Sequence, residues 1–274
     1  MKTARFPLIT SITPTICRLM EVELPKQASS DALGSVISAA QRVLNDSRVE
    51  RFLVYAPDAI GLRLYQDYRD FFQPVLGWAP VEVRLLSMTP TKTPVCFASM
   101  FTGALPETHG ITRPIRPVLT CDTLFDALTR SGRRVAIVAV KDSSIDLIFR
   151  GRPLDYFSES YDDAVTSRVL KLIESNRHEF ILAYHQEYDD VMHRTEPRSP
   201  EALGALRNHI KSFDALVQAV EAYWQCHSRA VLFAPDHGAH LDPSTGRGTH
   251  GEAISDDLEV VHFFGFHRSK GTQS

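Results

Sequence analysis

The chain has 274 residues, with 30 Lys+Arg against 33 Asp+Glu, 43% hydrophobic residues and 23% charged ones, which excludes a disordered or fibrous polypeptide. Its formal net charge of -3 gives no general attraction to a nucleic-acid polymer or an anionic membrane, so any polyanion must be held by a local site. No apolar run reaches the roughly 18 residues of a membrane span, and no repeat or Gly/Ser linker divides the chain, so one domain over residues 1–274 is expected.

At the N-terminus, Lys2 and Arg5 precede an apolar stretch interrupted by Ser, Thr and prolines, a poor signal-peptide core that leaves the cytoplasm as the expected location. Cys17, Cys96, Cys121 and Cys226 lie far apart without a C-x-x-C pair, the pattern of buried thiols in a reducing compartment rather than a zinc finger or disulfide scaffold. Ser30 or Asp31 can cap a helix running to Val43. Strand-length apolar runs then recur at Phe52 to Tyr55, Val81 to Leu86, Val135 to Val140, Phe180 to Tyr184, Ala230 to Ala234 and Val260 to Phe266. Between them lie helical patterns: one opened by Thr123 and closed at Gly132, one from Tyr161 to Ser175, and one from Pro200 to Trp224 behind a Ser-Pro start. Strands separated by helices predict an α/β fold, a mostly parallel central sheet with helices on both faces. Ligands of such sheets bind beyond the carboxyl ends of the strands.

Four strand ends carry polar groups. Asp58 follows the first strand. Thr93 follows the second and stands before Pro94 and an apolar helical pattern, so it is expected to cap that helix at the positive end of its dipole, where a phosphate would be stabilised. Asp189 and His193 follow the fourth run at a spacing that shares one helical face. Asp236, His237 and Gly238 follow the fifth, with His250 beyond. Three carboxylates, three imidazoles and one hydroxyl at one sheet edge suffice for two divalent cations, and mixed O/N donors without thiolate suit Zn²⁺ or Mn²⁺.

This constellation resembles the alkaline phosphatase superfamily, and PTKTPVCFASMFTGALPETHGI is similar to the nucleophile segment of its nucleotide pyrophosphatase/phosphodiesterase branch. The motifs run from Asp58 to His250, about 70% of the chain. The resemblance implies an alkaline-phosphatase-like three-layer sandwich. It also implies one cation held by Asp58, Thr93, Asp236 and His237, a second held by Asp189, His193 and His250, and Thr93 as nucleophile. Three departures stand out. The branch has an Asn shortly after HGI where this chain reads Thr-Arg-Pro, so Arg113 is expected to replace that donor, with Lys92 as a second substrate contact. Only 95 residues separate Thr93 from Asp189, too few for the large cap of the mutases. Finally, 57 residues precede Asp58, so residues 1–50 form an N-terminal extension that could add an outer layer, shape the substrate entrance or support a homodimer.

Of the remaining polar residues, Cys96 is expected to be a small buried hydrophobe and His109 to satisfy local backbone groups, while His185, His240 and Asp242 flank the ligands as orienters or direct donors. Asp190 competes with Asp189, and the family spacing selects Asp189.

The chemistry implied is phosphoryl transfer to a cation-activated Thr93, then hydrolysis of the phospho-threonine. The expected activity is metal-dependent hydrolysis of a small phosphate ester, of which a nucleotide is one candidate, with phosphodiester or pyrophosphate bonds favoured. A phosphomonoesterase or phosphomutase of the same superfamily is the alternative, and a metal-stabilised binding protein without turnover is the alternative of another class.

Overall fold

The computed structural model describes residues 6–45 and 47–270; Lys2, Arg5 and Asp46 lie outside the described residues. Among the described residues there are nine strands, six of them on the apolar runs: β1 (Arg51–Pro57), β2 (Val81–Leu86), β3 (Val135–Val140), β4 (Asp155–Glu159), β5 (Phe180–His185), β6 (Arg229–Phe233), β7 (His240–Asp242), β8 (Arg247–Thr249) and β9 (Glu259–His267). Seven of them make one sheet in the order β2-β9-β6-β1-β5-β3-β4, and β7 pairs with β8 alone. Pairings β1–β5, β1–β6, β3–β5 and β3–β4 are parallel; β9 alone in the large sheet runs against its neighbours.

Twelve α-helices lie among the described residues, the first two ahead of β1 and the rest between strands: α1 (Ile12–Met20), α2 (Gly34–Leu44), α3 (Leu62–Asp67), α4 (Gln73–Trp78), α5 (Thr93–Thr102), α6 (Pro106–His109), α7 (Leu124–Arg130), α8 (Ser144–Ile148), α9 (Asp162–Ser175), α10 (Glu187–Arg194), α11 (Pro200–Tyr223) and α12 (Ser255–Leu258). The sheet has a core on each face because alternate side chains point opposite ways. From β1, Phe52, Val54 and Ala56 pack with α1, α2, α5 and α7, while Leu53 and Tyr55 pack with α3, α9 and α11. That two-sided burial explains why the central strands read as unbroken apolar runs.

The helix starts reflect local hydrogen bonding. Thr123 forms a reciprocal capping box with Asp126, Ser199 caps α11 through Ala202 N–H, and Gly132 follows α7 at φ 79°. The second helix begins at Gly34 rather than behind Ser30 or Asp31. Leu33 stands at the N-cap with no side-chain cap bond, its N–H donating to Thr15 Oγ1 at 2.8 Å, while Ser30 Oγ is bonded to Thr10 Oγ1 at 2.5 Å. The described part of the N-terminal extension packs along α5 and the sheet edge: Ile9, Ile12 and Ile16 are buried, Thr13 Oγ1 donates to Met100 O, and Leu86 N–H donates to Pro7 O.

Register positions the strand ends. Tyr55 of β1 lies beside Phe233 of β6, and the loops beyond them touch at Gly61 and Gly238. A Cβ on Gly61 would sit 2.7 Å from Gly238 Cα, and one on Gly238 would sit 2.0 Å from Asp256 O. Only glycine permits that approach.

Candidate active site

Six of the expected cation-binding residues fall into two groups of converging donor atoms, Asp58 with Asp236 and His237, and Asp189 with His193 and His250. Asp58 and Asp236 emerge directly from the loops after β1 and β6. In the inner group, His237 Nε2 lies 3.5 Å from Asp58 Oδ1 and 3.3 Å from Asp236 Oδ2. In the outer group, Asp189 and His193 share one face of α10, as their spacing predicts. Asp189 Oδ1 lies 3.3 Å from His193 Nε2 and 3.4 Å from His250 Nε2.

The seventh residue, Thr93, stands between cavity and inner group. Its Oγ1 donates toward Asp58 at 3.2 Å and lies 3.5 Å from His237 Nε2. It is the first residue of α5 rather than its cap. Lys92 is extended at φ -126°, ψ 133° and its carbonyl accepts from Val95 and Cys96 N–H, so the helix starts one position earlier than expected.

The imidazoles share one orientation. Nδ1 of His193 meets Gly248 O at 2.9 Å, Nδ1 of His237 meets Gly238 O at 3.0 Å, and Nδ1 of His250 meets Thr91 O at 2.6 Å. A carbonyl only accepts, so each Nδ1 carries the hydrogen and each neutral ring turns an Nε2 lone pair inward. The Nε2 atoms of His193 and His250 then face each other at 3.1 Å.

The carboxylates are equally short of partners. Asp189 Oδ1 and Asp236 Oδ2 are buried without a hydrogen bond, and among the described residues no Lys or Arg pairs with any of the three aspartates. Burial, then the charge of Asp189, pushes the Asp58 carboxyl well above the usual range; burial, then Asp58, does the same to Asp236. Asp189 also suffers burial, but the adjacent His193 and His250 imidazoles outweigh it and hold the group below the usual range. The nearby Asp189 in turn raises His193, while burial and then His250 lower His237. Buried carboxylates and imidazole lone pairs that converge without a counter-charge have the donor chemistry of a divalent cation site.

A cavity of about 330 Å³ opens onto both groups and is lined by Asp58, Lys92, Thr93, Tyr184, Asp189 and His250, with Pro114, Arg116, Ser143, Gln186 and Asp190 further out. Two expected substrate contacts change here. Arg113 does not line the cavity; the chain turns so that Pro114 and Arg116 do, and Arg116 Nη1 is anchored on Asp142 O at 2.6 Å. Lys92 is at the wall, but its Nζ donates to His250 O at 2.5 Å, so it braces the outer group. No residue of the described N-terminal extension lines the cavity.

The other polar residues sort by contact. Cys96 is buried, with Ser87 Oγ 3.1 Å from its sulfur, and burial raises its thiol. His109 accepts from Ile111 N–H and meets Ser99 Oγ at 2.8 Å; burial lowers it to about 4. His185 turns away from the donors to stack on Tyr55 and bond Thr166, while His240 holds Asp257 and Asp242 turns the β7–β8 hairpin. Asp190 accepts from Tyr161 and Gln186. One residue that the sequence did not single out is Tyr184, whose hydroxyl donates to Asp58 Oδ2 at 2.5 Å. Its place at the end of a buried strand, pointing to the same edge as the ligands, was the available signal.

A mixed, mainly parallel sheet with helices on both faces and this donor arrangement at its carboxyl edge defines an alkaline-phosphatase-like hydrolase of phosphoric esters. The chain belongs to the type I phosphodiesterase / nucleotide pyrophosphatase family, which it matches over residues 79–241, a span that holds Thr93, Asp189, His193, Asp236 and His237. Members of this family use two divalent metals. Among solved structures, human ectonucleotide pyrophosphatase / phosphodiesterase 5 is similar at 16% identity, with 80% of this chain and 88% of that one covered and a TM-score of 0.61. The murine protein of the same name, inactive through a Thr-to-Ala exchange and in complex with AMP, is similar at 14% identity and a TM-score of 0.59, with the same coverage. Phosphonoacetate hydrolase from Sinorhizobium meliloti 1021, in complex with phosphonoformate, is similar at 19% identity, with 74% of this chain and 61% of that one covered and a TM-score of 0.52. No curated protein matches the chain by sequence.

Proposed function

We propose that the chain hydrolyses small phosphate esters, phosphodiester or pyrophosphate bonds ahead of monoesters, by passing the phosphoryl group to Thr93 and then to water. The observation that carries this reading is the Thr93 hydroxyl, set at the start of α5, hydrogen-bonded to Asp58 and exposed to a cavity that reaches both donor groups. Two divalent cations, Zn²⁺ or Mn²⁺ by donor type, would be held by Asp58, Thr93, Asp236 and His237 and by Asp189, His193 and His250. When bound they supply Lewis acidity to the attacking and phosphoryl oxygens.

The chain's own residues do the rest. Asp58 takes the hydrogen of the Thr93 hydroxyl, which leaves an oxygen lone pair facing the cavity. Tyr184 holds Asp58 in that orientation. The Oγ1–P bond forms while the bond to the leaving oxygen breaks on the opposite side, and water then cleaves the phospho-threonine. The positive end of α5 favours the phosphoryl charge. Arg116 is the cation nearest the outer wall, with Lys92 committed to a carbonyl, and so little fixed positive charge favours a singly charged diester over a dianionic monoester. The AMP and phosphonoformate bound by two neighbours support a small phosphorus oxyanion as substrate.

Cation analysis of wild type and Thr93→Ala, with a panel of p-nitrophenyl mono- and diesters, tests this reading. Turnover of bis-p-nitrophenyl phosphate should fall roughly 10³-fold or more in Thr93→Ala, with Asp189, His193 and His250 still holding their cation. Near wild-type rates in the variant would remove Thr93 as nucleophile.

A further inference from the structure

Asp257 lies outside both donor groups and outside the cavity lining, yet it is fully buried and its carboxylate receives four hydrogen bonds. Its Oδ2 accepts from Gly251 N–H at 2.8 Å, Glu252 N–H at 2.9 Å and Thr91 Oγ1 at 3.2 Å. His240 Nδ1 meets Oδ1 at 2.7 Å. Gly251 is the residue after His250, and Thr91 is the residue whose carbonyl fixes the His250 ring. One carboxylate oxygen therefore joins the backbone that carries His250 to the backbone that orients it. Gly251 stands at φ 129°, where side chains are strained, and a Cβ there would meet Lys92 Nζ at 2.9 Å, so the loop has little freedom except to pivot on these bonds.

The inner group touches Asp257 differently. Gly238 N–H, next to His237, donates to the Asp257 main-chain carbonyl at 2.8 Å, and a side-chain substitution leaves that bond in place. We infer that Asp257 is a positioning residue for the outer group alone, setting His250 for its cation while the Asp58, Asp236 and His237 group stays independent of its side chain. The inference rests on the two-cation reading above. Deleting the carboxylate leaves three donors facing a void, and loss of a group that orients a ligand costs roughly 10- to 100-fold in cation affinity.

The test is calorimetric titration of the metal-free full chain with Zn²⁺, alongside thermal unfolding without metal. Wild type should bind two equivalents. Asp257→Ala should bind one equivalent with unchanged affinity and the second about 10- to 100-fold more weakly, and adding Asp236→Ala should abolish the tight one. Asp257→Asn should restore much of the loss, because its amide oxygen can face the three donors while its NH₂ meets His240, whose ring can accept in its other tautomer. This variant also covers the case in which the alanine protein fails to fold. If Asp257→Ala lowers the metal-free melting temperature but leaves both affinities unchanged, or weakens both equally, the inference falls and the two-cation reading stands. Fewer than two equivalents on wild type would sink that reading and this inference with it.

Discussion

The two donor groups differ in how each is built. Asp58, Asp236 and His237 come from loops that directly continue two paired strands, and their side chains are at most 2% exposed. Asp189 and His193 ride on a two-turn helix and His250 on the short connection between β8 and α12, and the His193 side chain is 38% exposed. The inner carboxylates are pushed up by burial and by one another, whereas Asp189 is held down by its two histidines. The inner group is thus under electrostatic strain, whereas the outer group is already partly compensated. Strain of this kind is relieved either by a cation or by removal of a carboxylate.

The largest contrast should come from deleting one donor of each group. Asp236→Asn is expected to lose one cation and roughly 10³-fold or more in turnover while the metal-free protein melts a few degrees higher, since a repelled buried carboxylate is gone. His193→Ala should lose the other cation and melt lower without metal, because Asp189 loses a partner. Atomic absorption and thermal unfolding read both, and equal melting shifts of one sign would dissolve the distinction between the groups. At the rim, Arg116→Gln should raise KM for a diester about tenfold, the value of a lost charge-assisted hydrogen bond, and Arg113→Gln should leave it within about twofold. Equal effects in steady-state kinetics would return Arg113 to the site.

The smallest effect concerns the support of the outer group. Asp162 accepts the N–H of Gln186 and Glu187 at 3.0 Å each, at the entry to α10, and burial raises its carboxyl to about 7. A folded pKa above the unfolded one means that stability from this group is fully present below about 4 and is lost as pH rises through 7. Asp162→Asn should flatten the fall of melting temperature between pH 4 and 7 by a few degrees. An unaltered slope would show that Asp162 does not titrate in that window.

The sheet was legible because central strands bury both faces and so appear as apolar runs, and the donors because polar groups at the ends of such runs have no packing role. β4 (Asp155–Glu159) escaped notice as a half-exposed edge strand of mixed polarity, and the β7–β8 hairpin because three-residue strands carry no periodicity. α1 was hidden by Thr13, Pro14 and Thr15, all buried, which broke the apolar pattern. Arg116 depends on the path of its loop, and Asp257 on a contact with Thr91 across more than a hundred residues of chain, which spacing cannot convey. Resemblance named the ligands; only geometry separated Arg113 from Arg116.

Asp58 and Asp236 each lie three residues beyond a mutually paired position, Tyr55 on one strand and Phe233 on the next. The gap between the two carboxylates is therefore indexed by the backbone ladder, whose strands stand about 4.8 Å apart, rather than by the side chains around them. Side-chain exchanges at the rim can alter which ester enters while this gauge stays fixed. A single residue inserted between either strand and its aspartate would shift one carboxylate out of step, a change that no repacking of the surrounding pocket could restore.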